Sequence, residues 1–117
     1  MKADNDIYCI LGRYVFATPE QILRALDMMQ SPRLPDTLKK RLTALTNAGL
    51  LGRKRKGLVY PYLYWLKLEG AKKAHALGAM QNIRVVHEKS ESQIEHEIGI
   101  TDFMLAIDEE AVKVGDG

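Results

Sequence analysis

A chain of 117 residues, 46% hydrophobic and 27% charged, is long enough for one small cored domain, and its single cysteine, Cys9, excludes an internal disulfide. No apolar run approaches the roughly 20 residues that cross a bilayer, and the start Met-Lys-Ala-Asp-Asn-Asp lacks the apolar stretch of a secretion signal, so a cytoplasmic, nucleoid- or plasmid-associated protein is expected. The formal net charge of +2 hides an asymmetry: residues 33–56 hold eight cations against Asp36 alone, whereas residues 87–117 hold nine carboxylates against Lys89 and Lys113, a basic middle suited to a polyanion and an acidic end that is not.

In chain order, residues 4–15 read as a first helix. Asp4 or Asn5 caps it, and Ile7, Ile10, Leu11 and Tyr14 recur at helical spacing. Cys9, inside that run, reads as a buried structural thiol. A second helix begins at Thr18, where Thr-Pro-Glu-Gln supplies an N-cap, a proline at the first helical position and a glutamine three residues after the cap. Ile22, Leu23 and Leu26 give it an inward stripe that Met29 extends. Gln30 to Pro35 is a turn, because its two prolines forbid continuation.

A third helix is expected from Pro35 to Ala48. Leu38, Leu42 and Leu45 make one buried face, and Gly49 stands where a left-handed C-cap belongs. The opposite face carries Lys40, Thr43 and Asn47, flanked by Asp36, Lys39 and Ala44. Leu50 and Leu51 open a short strand, Arg53 to Gly57 form a charged hairpin tip, and Val59 to Leu66 return. Pro61 marks an edge position or a bulge. A fourth helix runs from Lys67 to Leu77. Residues 78–90 read as a loop with a short extended piece at Ile83 to Val86. A final helix, Ser90 to Ala111, carries Ile94, Ile98, Ile100, Phe103, Met104, Leu105 and Ile107, too many apolar residues for one stripe.

The string R-L-T-A-L-T-N-A-G-L-L-G-R-K-R-K-G (Arg41 to Gly57), followed by Y-L-Y-W-L-K-L-E-G-A-K-K-A (Tyr62 to Ala74), resembles the recognition helix, wing and following helix of bacterial winged-helix regulators. The later I-E-H-E-I-G-I-T-D-F (Ile94 to Phe103) is similar to a stretch of the replication-relaxation proteins of plasmids and mobile elements, where a His-centred motif follows the winged helix at about this distance. The resemblance covers roughly residues 5–80 and implies an α+β, mainly α fold: a winged helix-turn-helix with a β-hairpin wing and an additional C-terminal helix. It divides the chain into a DNA-binding domain at 4–80 and a C-terminal helix at 88–112; His96 reads as a partly buried or subunit-contact residue, to which the resemblance adds a specific interaction role as the alternative.

No P-loop, dinucleotide fingerprint, zincin motif or nucleophile elbow is present, so no enzyme and no cofactor are expected. His75, His87 and His96 are too widely spaced for a metal site. The expected function is sequence-specific binding of duplex DNA in transcription regulation or in plasmid or mobile-element replication control. Lys54, Arg55 and Lys56 at the hairpin tip contact phosphates or enter the minor groove, and Arg53 anchors the wing to a phosphate. Lys40, Thr43 and Asn47 read base edges, since lysine reaches guanine and asparagine pairs with adenine. Arg41, nearer the core side, reaches a phosphate, and Arg33, Thr37 and Lys39 complete the contact surface. Tyr60, Tyr62, Tyr64 and Trp65 are read as strand packing. A rival reading makes the fold a protein-interaction adaptor whose basic block binds an acidic protein. The final helix is expected to form a twofold homodimer through Ile94, Ile98 and Leu105, or to bind a protein partner, with Glu91, Glu95, Glu97 and Asp102 held away from DNA.

Overall fold

The first helix, α1 (Lys2–Tyr14), turns Ile7, Tyr8, Ile10, Leu11 and Tyr14 into the interior, as its 3.6-residue periodicity dictates. A computed structural model of the chain describes residues 2–84 and 86–116. Helix α1 stops at Tyr14 because Val15 takes a positive φ of 74°, which redirects the chain. Ala17 then exchanges two backbone hydrogen bonds with Tyr64, at 3.1 and 2.8 Å.

Helix α2 (Pro19–Met28) begins with the expected reciprocal cap: the Gln21 amide donates to the Thr18 hydroxyl, and the Thr18 amide donates to the Gln21 side chain. Ile22 and Leu26 are buried, while Met29 lies beyond the helix and is exposed. After a turn, α3 (Pro35–Asn47) buries Leu38, Leu42 and Leu45. Gly49 takes the left-handed conformation (φ 81°) that lets the Leu50 amide reach back to the Leu45 carbonyl. Helix α3 packs against α2, and its opposite face is open to water.

Strand β1 (Leu51–Lys54) pairs antiparallel with β2 (Leu63–Leu66), in the register Leu51 to Leu66 and Lys54 to Leu63. The return strand starts four residues later than its Val/Tyr-rich sequence suggests. Pro61 has no N–H to donate, and the Tyr60 amide closes a turn onto the Gly57 carbonyl at 3.1 Å. Gly52 lies beneath Trp65, and a Cβ there would overlap the indole. Helix α4 (Leu68–Ala76) sits on the β1 entry, with the Lys67 amide bonded to the Leu50 carbonyl. Residues 83, 84 and 86 are in no strand, and Val85 of that expectation lies outside the described residues.

Helix α5 (Glu91–Asp116) is longer than its apolar pattern, and it packs along α2. Leu105 enters the main core beside α1, α2 and α3. Ile94 joins Phe16, Leu63 and Trp65 in a second cluster. The Thr101 hydroxyl donates to the Phe16 carbonyl at 2.6 Å, and the Gln21 amide group donates to the Ile98 carbonyl and to Asp102. Helix makes up 61% of the chain, so the class is α+β, mainly helical, with a two-stranded antiparallel sheet.

Candidate nucleic-acid interface

The open face of α3 and the β1–β2 hairpin converge on a cleft of about 620 Å³. Helix α3 contributes Lys39 and Thr43, the hairpin contributes Arg53, Arg55, Tyr60 and Tyr62, and the start of α2 contributes Glu20 and Leu23. Two residues at period 2 on the hairpin share one side, so Arg53 and Arg55 both face this cleft. Their guanidinium carbons stand 4.3 and 4.5 Å from the centre of the Tyr62 ring. Stacking on one tyrosine fixes two planar cations while leaving their N–H edges free to meet anionic oxygens.

The intervening residues face the other way. Lys54 pairs with Glu88 at 3.1 Å, and Lys56 with Glu95 at 2.8 Å. The Glu95 carboxylate raises the Lys56 pKa. These are exposed, solvent-screened pairs, so they orient the hairpin more than they stabilise the fold. The four consecutive cations, read as a uniform tip in the sequence, are thus split into a free pair and an occupied pair. The pairing of Glu88 and Glu95 with the hairpin is what the sequence does not show, because no local pattern links them to a hairpin more than thirty positions away.

Along α3, Thr37, Lys39, Lys40, Thr43 and Asn47 are all exposed. Arg33, in the turn before it, is half-buried. Arg33, Lys39, Lys40, Arg53 and Arg55 have no carboxylate partner among the described residues. Arg41 is different: its guanidinium forks onto Asp4 of α1 at 2.8 and 2.6 Å, which raises its pKa. The guanidinium expected to reach a phosphate is thus engaged in an interhelical clamp with Asp4, because the i+3 position from Leu38 turns it toward α1.

The acidic end of the chain is spent in the same way. Arg24 reaches Asp102 and Glu109 at 3.1 and 2.7 Å, and Lys89 lies 3.9 Å from Glu97. Asp108 accepts two bonds from Arg13 and one from the Tyr14 hydroxyl, at 2.8, 2.7 and 2.5 Å. The Arg13 guanidinium holds the Asp108 carboxyl below its ordinary value, and burial first, then the bond to Asp108, push Tyr14 up to about 12. Asp102 and Glu95, expected to lie away from DNA, tie α5 to α2 and to the hairpin of the same chain.

The subunit contacts expected at Ile94 and Leu105 are corrected by their burial. Both fill this chain's own cores, and Ile98 is half-buried against the second cluster. They lie on the same helical side as Thr101, which is bonded to Phe16. The outward stripe of α5 is instead Ile100, Phe103 and Ile107, with Phe103 68% exposed. His96 is exposed and makes no hydrogen bond among the described residues. No family model, no curated protein and no solved structure matches this chain.

Proposed function

We propose that the chain is a winged helix-turn-helix that binds duplex DNA, with α2, the turn and α3 as the helix-turn-helix and the β1–β2 hairpin as the wing. The observation that carries this reading is the convergence of Lys39 and Thr43 with Arg53 and Arg55 on one cleft. Lys39, Arg53 and Arg55 have no carboxylate partner among the described residues, and neither do Arg33 and Lys40 beside them, whereas Arg41, Lys54 and Lys56 of the same block are each paired. The Ala17–Tyr64 bridge also gives β2 a neighbour on each side, the arrangement expected of such a wing. In this reading the exposed side of α3 enters the major groove. Lys40, Thr43 and Asn47 meet base edges, and Arg33, Lys39, Arg53 and Arg55 meet phosphates. Such occupancy serves control of transcription or of replication of a plasmid or mobile element.

Twofold pairing remains part of the proposal, with different residues. Glu95, Asp102, Asp108 and Glu109 of α5 are paired with Lys56, Arg24 and Arg13 of the same chain, and the outward stripe of Ile100, Phe103 and Ile107 is the apolar surface that meets a second copy. The test of the central reading is a fluorescence-anisotropy titration of a duplex of about 30 base pairs. Five free cations imply that log K falls against log salt with a slope of about −4 to −5. Absence of binding at about 50 mM salt, or an affinity indifferent to salt, removes the reading.

A further inference from the structure

The turn that joins the two strands of the wing breaks two rules at once. Leu58 and Val59 are its central residues, closed by the Tyr60 to Gly57 hydrogen bond, and they are 85% and 91% exposed. Central turn positions favour Gly, Asn, Asp, Ser or Pro. Neither Leu58 nor Val59 has a positive φ, so any of several polar residues fits that backbone. Nothing in the fold asks for an adjacent pair of aliphatic side chains held out in water. They stand directly beyond Arg55 and Lys56, with the free guanidiniums of Arg53 and Arg55 on the cleft side.

We infer that Leu58 and Val59 are an apolar wedge that enters the minor groove and opens a base step. This inference rests on the duplex reading above. An apolar knob beside cations matches what a base step offers: stacked, weakly hydrated faces between two rows of phosphates. Leu58 and Val59 lie at most about 10 and 14 Å of chain past Arg55. That is the scale of the step across one phosphate backbone from the major groove to the minor groove, which are about 12 and 6 Å wide. An anionic bilayer asks for similar chemistry, but two side chains bury much less than the one acyl chain that by itself anchors only marginally.

The wedge opens the minor groove and kinks the duplex toward the major groove, so it favours sites with a flexible TA step over stiff A-tracts. The test uses two duplexes of about 30 base pairs, one with a central TA step and one with a central A-tract, labelled at both ends for energy transfer. Wild-type protein is expected to shorten the end-to-end distance of the TA duplex, reporting a bend of about 20–90°, and to prefer it. Leu58→Ser with Val59→Ser should keep the melting temperature, because both side chains are already in water. It should also keep the salt slope, because the cations are intact. It should lose the bend and the TA preference and bind roughly 10- to 100-fold more weakly. Leu58→Ile with Val59→Ile should restore all three. If wild type binds without bending, or the serine variant bends equally, the wedge is overturned and the duplex reading stands. If wild type binds neither duplex, both fall. Binding of wild type, but not of the serine variant, to phosphatidylserine vesicles, with duplex bending unchanged, also overturns the wedge.

Discussion

The split of the hairpin cations is the sharpest quantitative consequence of the structure. Arg53 and Arg55 face the cleft, while Lys54 and Lys56 are held by Glu88 and Glu95. Each phosphate neutralised contributes about 0.9 to the slope of log K against log salt, so Arg33, Lys39, Lys40, Arg53 and Arg55 together give about −4.5. Arg53→Gln with Arg55→Gln should flatten it to about −2.7. Between about 50 and 200 mM salt, wild type then loses about 500-fold in affinity and the arginine variant about 40-fold. Lys54→Gln with Lys56→Gln should leave the slope nearly unchanged, since those ammoniums must first give up a carboxylate. Glu88→Gln with Glu95→Gln frees them and should steepen the slope toward about −6 while tightening binding at low salt. Anisotropy titrations of one duplex at four salt concentrations measure all four proteins. Equal flattening by the two cation variants, with no effect of the glutamate variant, would refute the argument that alternation along the strand sorts these charges.

Three further outcomes follow from other parts of the molecule. Lys40→Ala or Asn47→Ala should reduce discrimination between a selected site and random DNA by about 1–3 kcal/mol with little change on random DNA; equal loss on both moves base reading off α3. Phe103→Asp should convert a dimer into a monomer by sedimentation at tens of micromolar, and a monomeric wild type removes the α5 interface. Tyr14, whose hydroxyl donates to Asp108, keeps its proton up to about pH 12 when folded and only to about 10 when unfolded. Its contribution to stability is therefore complete below pH 10 and declines as pH rises toward 12, which urea midpoints should show in wild type and not in Tyr14→Phe; parallel curves would sink the assignment.

Much of the framework is local and was legible in the residues. The reciprocal Thr18–Gln21 cap, the Leu38–Leu42–Leu45 stripe and the left-handed Gly49 each depend on neighbours within about one or two helical turns, so spacing and side-chain chemistry suffice to place them. The open α3 face with Thr37, Lys39, Lys40, Thr43 and Asn47 follows from the same periodicity. Sequence alone extends the return strand too far because Val59 and Tyr60 have strand propensity, while the turn hydrogen bond and Pro61 that override it act together only in the folded hairpin.

What each charge and each apolar face does was settled by tertiary contacts. Arg41 and Asp4, Arg13 and Asp108, Lys54 and Glu88, and Lys56 and Glu95 are separated by some 34 to 95 positions, so nothing in the spacing joins them. The α5 residues Ile94 and Leu105 are indistinguishable in type from Ile100 and Ile107. Which pair fills the core and which faces water depends on the rotation of the helix about its own axis. That rotation is set where Thr101 reaches the Phe16 carbonyl and Gln21 reaches Ile98 and Asp102. Helical periodicity defines the stripes of a helix, but only the packing partner chooses among them when more than one is apolar.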